Sequence, residues 1–219
     1  MPSVLDELPE PTRARVLQVA RRRTFARNEV VFHRDDPGDT CHIVRKGRFA
    51  VRVPSRHGDV VTLAILGPGD SFGELALLSE EARRTATVVA LEAAETTSIH
   101  ALDFNAVLEE HPQAMLVVVQ ILRARVERLS GLVAEALFEP VDRRIVRRLA
   151  ELADLYADGD GAGADIPLTQ ELIGELAGAS RSTVNRVLRG EEQRGLVVLR
   201  RGRTVVPDRA ALRARADRR

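Results

Sequence analysis

The chain has 219 residues and a formal net charge of +1, enough for two domains that each bury a core with no disulfide or structural metal. A single cysteine, Cys41, excludes an internal disulfide, a zinc cage and the four thiolates of an iron–sulfur cluster, and fits a reducing cytoplasm. Aromatic residues are scarce (six Phe, one Tyr, no Trp), which argues against single-stranded nucleic acid read by base stacking.

The first residues, MPSVLDELPE, lack the basic flank and apolar run of a signal peptide, and no stretch is apolar enough to span a membrane. Residues 5–23 read as a short helix carrying Leu5, Leu8, Val16, Leu17 and Ala20. From residue 24 to 100 short β-rich runs recur: 30–32, 42–44, 49–53, 60–65, 86–90 and 96–99. Turn signals part them at Asp36-Pro37-Gly38, Lys46-Gly47, His57-Gly58-Asp59 and Gly67-Pro68-Gly69-Asp70. Many short strands with glycine turns predict a β sandwich or barrel of jelly-roll size.

The period then becomes helical. Asp103 is the expected N-cap of a short helix ending near Glu110. Pro112 opens a longer one to about Phe138. On it Met115, Val119, Leu122, Val126, Leu129, Val133 and Ala136 alternate at spacings of four and three. That narrow apolar seam, flanked by Arg and Glu, favours a two-stranded dimer over packing on its own domain. Pro140 ends the helix. Residues 142–156 form another, with Ile145, Leu149, Leu152 and Leu155 inward, and Asp158–Gly163 is a flexible loop.

The C-terminal stretch carries the charge. From Ile166 onward twelve arginines face six acids, whereas residues 1–137 hold 17 basic and 19 acidic residues. Thr169 caps a helix from Gln170 to Ala177, Gly178-Ala179 makes a turn, and Ser180 caps a second helix from Arg181 to about Arg194, which Gly195 ends. Leu172, Ile173 and Leu176 of the first, and Val184, Val187 and Leu188 of the second, point inward. Gly174 is small where the helices cross. Two β runs, 196–199 and 204–206, are joined through Arg200-Arg201-Gly202-Arg203. The pattern is a helix-turn-helix with a basic wing. Thr169, Ser180, Arg181, Ser182, Thr183, Asn185, Arg186 and Arg189 are the candidate DNA-contacting residues of the helices, and Arg201 and Arg203 those of the wing. Arg forks onto guanine, Asn pairs with adenine, and hydroxyls and wing arginines hold phosphate.

The β region contains Gly69-Asp-Ser-Phe-Gly73-Glu74-Leu75-Ala76, followed by Arg83-Arg84-Thr85-Ala86. Gly73 lets backbone N–H groups approach a ligand, Glu74 accepts from hydroxyls, and Arg84 with Thr85 suits an anionic phosphate. A carboxylate for ribose beside an arginine for phosphate describes a nucleotide site; the plain alternative is a surface loop with a Glu–Arg ion pair.

These residues closely resemble the phosphate-binding cassette of the cyclic AMP receptor protein (catabolite activator protein) family. Gly38 and Gly47 match its turn glycines, and Gly178–Arg186 resembles its recognition-helix motif. The resemblance implies an α+β chain: a cyclic-nucleotide-binding β jelly-roll over residues 1–111, a dimerisation helix over 112–138 and a winged helix-turn-helix over 139–219. It implies that Glu74 binds the ribose 2′-hydroxyl and that Arg84 and Thr85 bind the cyclic phosphate beside Gly73, Leu75 and Ala76. Where the family places a Thr-Ser pair on the purine, this chain has Leu129-Ser130, so the contact to the base differs. Where its recognition helix reads Arg-Glu-x-x-x-Arg, this chain has Arg181-Ser182-Thr183-Val184-Asn185-Arg186, so the half-site differs. Asp142 stands where the family has a neutral residue near DNA phosphate; it weakens that contact or pairs with Arg143 or Arg144.

The resulting expectation is a cytoplasmic, homodimeric transcription regulator that binds a roughly palindromic duplex site, contacts RNA polymerase, and responds to cyclic AMP. The alternative is the same scaffold answering to cyclic GMP, a cyclic dinucleotide or no ligand. A metal-dependent jelly-roll enzyme is disfavoured, as are haem and redox sensing, because Cys41 is alone and His33, His42, His57, His100 and His111 show no ligand spacing. A nucleotide-binding module without DNA function leaves the winged helix idle.

Overall fold

A computed structural model describes residues 5–55, 59–78, 81–157 and 162–217. The turn expected at His57-Gly58 and most of the loop expected at 158–163 lie outside the described residues. The chain divides into two compact units, Met1–Arg128 and Leu129–Arg219.

In the first unit, helix α1 (Glu10–Val19) precedes strands β1 (Arg21–Phe25), β2 (Val30–Phe32), β3 (Thr40–Lys46), β4 (Phe49–Pro54), β5 (Val60–Leu66) and β6 (Ser71–Phe72). A single-turn helix, α2 (Glu74–Leu77), then leads to β7 (Thr87–Ala90), β8 (Ala94–His100) and helix α3 (Ala101–Glu110). The strands form two four-stranded antiparallel sheets, β1-β8-β3-β6 and β2-β7-β4-β5. Period-two alternation sorts their side chains. Along β3, Val44 joins Phe25, Phe49, Phe72 and Val88 in one core cluster, while Cys41 and Ile43 join Val16, Ile99 and Val107 in a second.

Two expectations in this unit are corrected. The N-terminal helix stops at Val19, and Arg21–Arg23 belong to β1, an edge strand paired with β8 from Arg21↔Ser98 to Phe25↔Ala94. Its exposed arginines extend into solvent while Phe25 is buried. The cap of α3 is His100, whose Nδ1 accepts from the Leu102 N–H at 3.3 Å, and not Asp103. Strand β8 runs straight into this helix, so its last residue occupies the cap position.

His42 of β3 sits among the core rings Phe25, Phe32 and Phe72. It is almost fully buried and stacks on Phe72 at 4.9 Å. Its ring nitrogens lie 3.1 Å from Thr96 Oγ1 and 3.4 Å from Thr40 Oγ1. Burial, with Arg23 and Arg84 nearby, lowers its pKa from 6.5 to about 3. The unfolded chain therefore takes up a proton that the folded chain refuses. Stability is full above the unfolded pKa and falls by about 1.4 kcal/mol per pH unit as pH drops below it, until the folded pKa is reached. Denaturant titrations between pH 6.5 and 5 should show this slope in the wild type and a flatter one in His42→Phe.

Helix α4 (Ala114–Phe138) contributes to both units. The second unit continues with α5 (Val141–Leu155), β9 (Ala164–Ile166), α6 (Gln170–Ala177), α7 (Arg181–Gln193), β10 (Val198–Arg200), β11 (Arg203–Val206) and α8 (Arg209–Asp217). Pro140 is the N-cap residue of α5. Ion pairs span this junction. Arg147 donates to Glu135 at 3.0 Å and to Glu139 at 2.8 Å, and the buried Arg148 donates to Glu135 and, at 2.5 Å, to Glu151. Burial pushes the Glu135 carboxyl up, but the two guanidiniums outweigh it and hold it below the usual range.

The two helices of the helix-turn-helix match their expected bounds at the turn. Thr169 Oγ1 accepts from the Leu172 N–H at 3.2 Å, Ser180 Oγ accepts from the Thr183 N–H at 3.2 Å, and Gly178 takes φ 61°. A Cβ on Gly174 would stand 2.5 Å from the Ala179 carbonyl, so this close approach requires glycine. Leu176 is only half-buried; Ala177 takes the inward place. Strands β9, β10 and β11 form an antiparallel sheet in the order β10-β11-β9. Neither β9 nor α8 was expected.

Candidate functional site

The cassette is assembled by a loop-to-loop clamp. The Arg84 N–H donates to the Asp36 carbonyl at 2.9 Å, the Asp35 N–H to the Arg84 carbonyl at 2.8 Å, and the Gly38 N–H to the Ala82 carbonyl at 2.6 Å. Gly73, at φ 88°, turns the chain from β6 into α2. A Cβ there would lie 2.7 Å from Arg84 Nη1 and 2.9 Å from the Thr40 carbonyl, so the guanidinium fills the space that a side chain would take.

Arg84 is 4% exposed. Nη1 donates to the carbonyls of Thr40 at 2.6 Å and Gly73 at 3.0 Å, and Nη2 to Thr40 Oγ1 at 2.9 Å. The guanidinium lies over the Phe32 ring, 4.1 Å from its centroid. Its Nε is buried with no acceptor. Asp39 is exposed and 3.9 Å away, and no other described carboxylate forms an ion pair with it. Desolvation accordingly lowers the Arg84 pKa. A buried cation held by neutral groups, with one N–H unanswered, is suited to an incoming anion. Thr85, the next residue in the chain, is exposed.

Glu74 is 3% exposed and paired with Arg125 of α4, whose Nη1 donates to Oε1 and whose Nη2 donates to Oε2 at 3.3 Å and to the Ser71 carbonyl at 2.7 Å. A carboxylate with two acceptor oxygens keeps lone pairs for a ligand hydroxyl. Sequence reading missed Arg125: it stands among other flanking arginines of the seam, and nothing local marks a partner fifty-one residues away. The plain ion-pair reading of Glu74 and Arg84 fails, because Glu74 pairs with Arg125. Ala76 is buried against Gly38, and Leu75 is partly exposed. Leu129 and Ser130 are exposed on α4. Cys41, buried beneath the cassette, is pushed up to about 12 by desolvation and stays a thiol.

In the second unit Arg181, Ser182, Asn185, Arg186 and Arg189 are exposed along α7, and Thr183 is half-buried. Arg181 makes no bond to the described residues. Asn185 donates to Gln170 Oε1 at 3.0 Å and Arg189 to Glu192 at 2.8 Å. The hydroxyls of Ser182 and Thr183 each lie 2.9 Å from that of Ser180. Asp142 pairs with neither Arg143 nor Arg144; it takes Arg186, at 2.9 and 2.5 Å. The wing tip is Arg201-Gly202, with Gly202 at φ 73°. Arg203 is not in the tip. It lies on β11 opposite Arg200 and donates to Asp165 of β9 at 2.6 Å, because the unexpected strand brings that carboxylate alongside.

Two domain families match the sequence: the cyclic nucleotide-binding domain over residues 22–111 and the Crp-like helix-turn-helix domain over residues 143–215. The CRP-like cAMP-activated global transcriptional regulator of Mycobacterium tuberculosis is 28% identical over 194 residues, 88% of this chain and 86% of the relative. The cyclic AMP receptor protein of Thermus thermophilus is 29% identical over 196 residues, 90% of this chain and 88% of the relative. Among solved structures, the c-di-GMP responsive global regulator of Xanthomonas campestris covers 90% of this chain and 99% of its own, with a TM-score of 0.77 at 22% identity, a likeness of fold alone. With both domains in this order and relatives along most of its length, the chain belongs to the cyclic AMP receptor protein family of transcription regulators.

Proposed function

We propose that the protein is a homodimeric regulator whose affinity for a roughly palindromic duplex site is set by a cyclic nucleotide, with cyclic AMP as the effector. The observation that carries this reading is Arg84: a buried guanidinium held by carbonyls, a hydroxyl and a ring, with no carboxylate hydrogen-bonded to it. A cyclic phosphate supplies the missing charge there. Thr85 adds a hydroxyl to the phosphate, and Glu74 takes the ribose 2′-hydroxyl. Because Glu74 also holds Arg125, ligand contact at that carboxylate is felt on α4. Along α4, Met115, Val119, Val126, Leu129 and Val133 are all exposed, which supports closure of this apolar seam by a second copy. The two recognition helices then sit about one DNA turn apart, ~34 Å. Such a protein works in the cytoplasm, where DNA and RNA polymerase are; among the described residues no helix is long and apolar enough to cross a membrane.

A second reading, the same scaffold answering to cyclic GMP or a cyclic dinucleotide, is favoured by Leu129, an exposed apolar side chain where the family has a base-contacting threonine. Calorimetry of the purified protein against cyclic AMP, cyclic GMP and cyclic di-GMP separates them. Tightest binding of cyclic AMP, weakened by 2′-deoxy substitution, supports the first reading. Heat from none of the three ends both.

Ser182 sets one base position in this reading. Its short, neutral hydroxyl, 2.9 Å from Ser180 Oγ, both donates and accepts, so it discriminates less than the family's glutamate, which only accepts, from a cytosine amino group. Randomised-site selection should show tolerance at one base pair for the wild type and a cytosine preference there for Ser182→Glu. Identical preferences would mean that Ser182 does not face the bases.

A further inference from the structure

The polar face of α7 is not equally free. Arg181 makes no bond to the described residues, whereas Arg186 is held by a carboxylate from another helix. Asp142 lies in the first turn of α5, just after Pro140. Its Oδ2 accepts from Arg186 Nη1 at 2.9 Å and its Oδ1 from Nη2 at 2.5 Å. Both side chains are well exposed, 62% for Arg186 and 49% for Asp142, so DNA can reach the pair without unfolding anything.

The geometry is a fork. A carboxylate that accepts from both terminal nitrogens uses the donors with which an arginine can grip O6 and N7 of guanine end-on. A phosphate offers its oxygens to the same donors. Whatever takes Arg186 must therefore displace Asp142, and Asp142 itself repels a phosphate brought close to it. Displacing an exposed ion pair costs about two- to fivefold in affinity. A bidentate guanine contact returns about five- to 150-fold, so a matching base wins clearly. One more screened phosphate contact competes with the carboxylate on nearly equal terms.

We propose that Asp142 is a specificity-determining residue: it keeps Arg186 out of non-specific phosphate contact and releases it to a guanine edge that takes both terminal nitrogens. The inference rests on the reading of α7 as the DNA-recognition helix. It gives the two reading arginines different roles. Arg181 is open to any phosphate during search, and Arg186 adds its charge only at the correct site.

The test uses the full-length protein with cyclic AMP, an operator obtained by selection with the wild type, and a random duplex of equal length. Affinities are measured over a salt series for wild type, Asp142→Asn, Arg186→Ala and the double variant. Asn has nearly the shape of Asp and sits at an exposed position; equal melting temperatures check the fold. Asp142→Asn should bind the random duplex about two- to fivefold more tightly and gain about one unit of salt slope, as one more phosphate contact forms. Its operator affinity should rise less, so the ratio of specific to non-specific binding falls. In the Arg186→Ala background the same change should do markedly less. If Asp142→Asn strengthens random binding equally with and without Arg186, the carboxylate only repels phosphate and the proposal fails. It fails too if Asp142→Asn weakens operator binding as much as Arg186→Ala does, for then Asp142 holds the bound pose. If Arg186→Ala alone changes neither affinity nor base preference, the reading of α7 has failed instead.

Discussion

Arg84→Ala is expected to lower cyclic nucleotide affinity by about 10- to 150-fold, the worth of a charge-assisted contact of about 1.5–3 kcal/mol. The buried guanidinium has no hydrogen-bonded carboxylate, so most of its charge is available to the ligand. The same fact separates a binding effect from a folding one. The alanine variant loses contacts to the Thr40 and Gly73 carbonyls but is also relieved of a desolvated cation whose ion-pair partner, Asp39, is exposed and 3.9 Å away. Its unfolding midpoint without ligand should therefore move much less than its affinity. Arg84→Lys should recover little, because a point charge cannot reproduce the fork that spans Thr40 and Gly73. Calorimetry and thermal denaturation of the three proteins check this. Wild-type affinity in Arg84→Ala would remove the cassette from the ligand site.

Val126→Glu should convert the proposed dimer to monomers and reduce operator affinity by about a thousandfold or more, to the level of non-specific binding, because one half-site is lost. Val126 is 63% exposed, so a glutamate there meets water in a single chain. In a two-fold dimer closed along the seam it meets its own copy, with two like charges in an apolar interface. Sedimentation of wild type and variant gives the answer. A wild-type monomer would end the dimer reading whatever the variant does.

The features legible from sequence were those set by neighbours in the chain. The helix-turn-helix could be read to its caps because Thr169, Gly178 and Ser180 act on backbone groups three or four residues away. Strands β2, β3, β4, β5, β7 and β8 showed through alternation and turn glycines, whereas the two-residue β6 did not. What escaped depends on partners far along the chain. Strand β1 is a run of arginines whose extended form comes from pairing with β8. Arg125 gains its meaning from Glu74, and Arg203 loses its place in the wing tip to Asp165 on a three-residue strand. Asp142 has two arginines beside it in sequence, yet its partner lies forty-four residues on, since side chains at adjacent helical positions diverge.

The ion pairs around Glu135 alter what Pro140 means mechanically. A proline between two helices invites comparison with a swivel, a point where one rod turns freely against the next. Here the rods are bolted across it, with Arg147 gripping Glu135 of α4 and Glu139 just beyond its end, and Arg148 gripping Glu135 from a buried position. A rotation of the last turns of α4 must break these ion pairs if α5 is to be left behind, as in a keyed coupling. Asp142 rides on the driven side of that coupling.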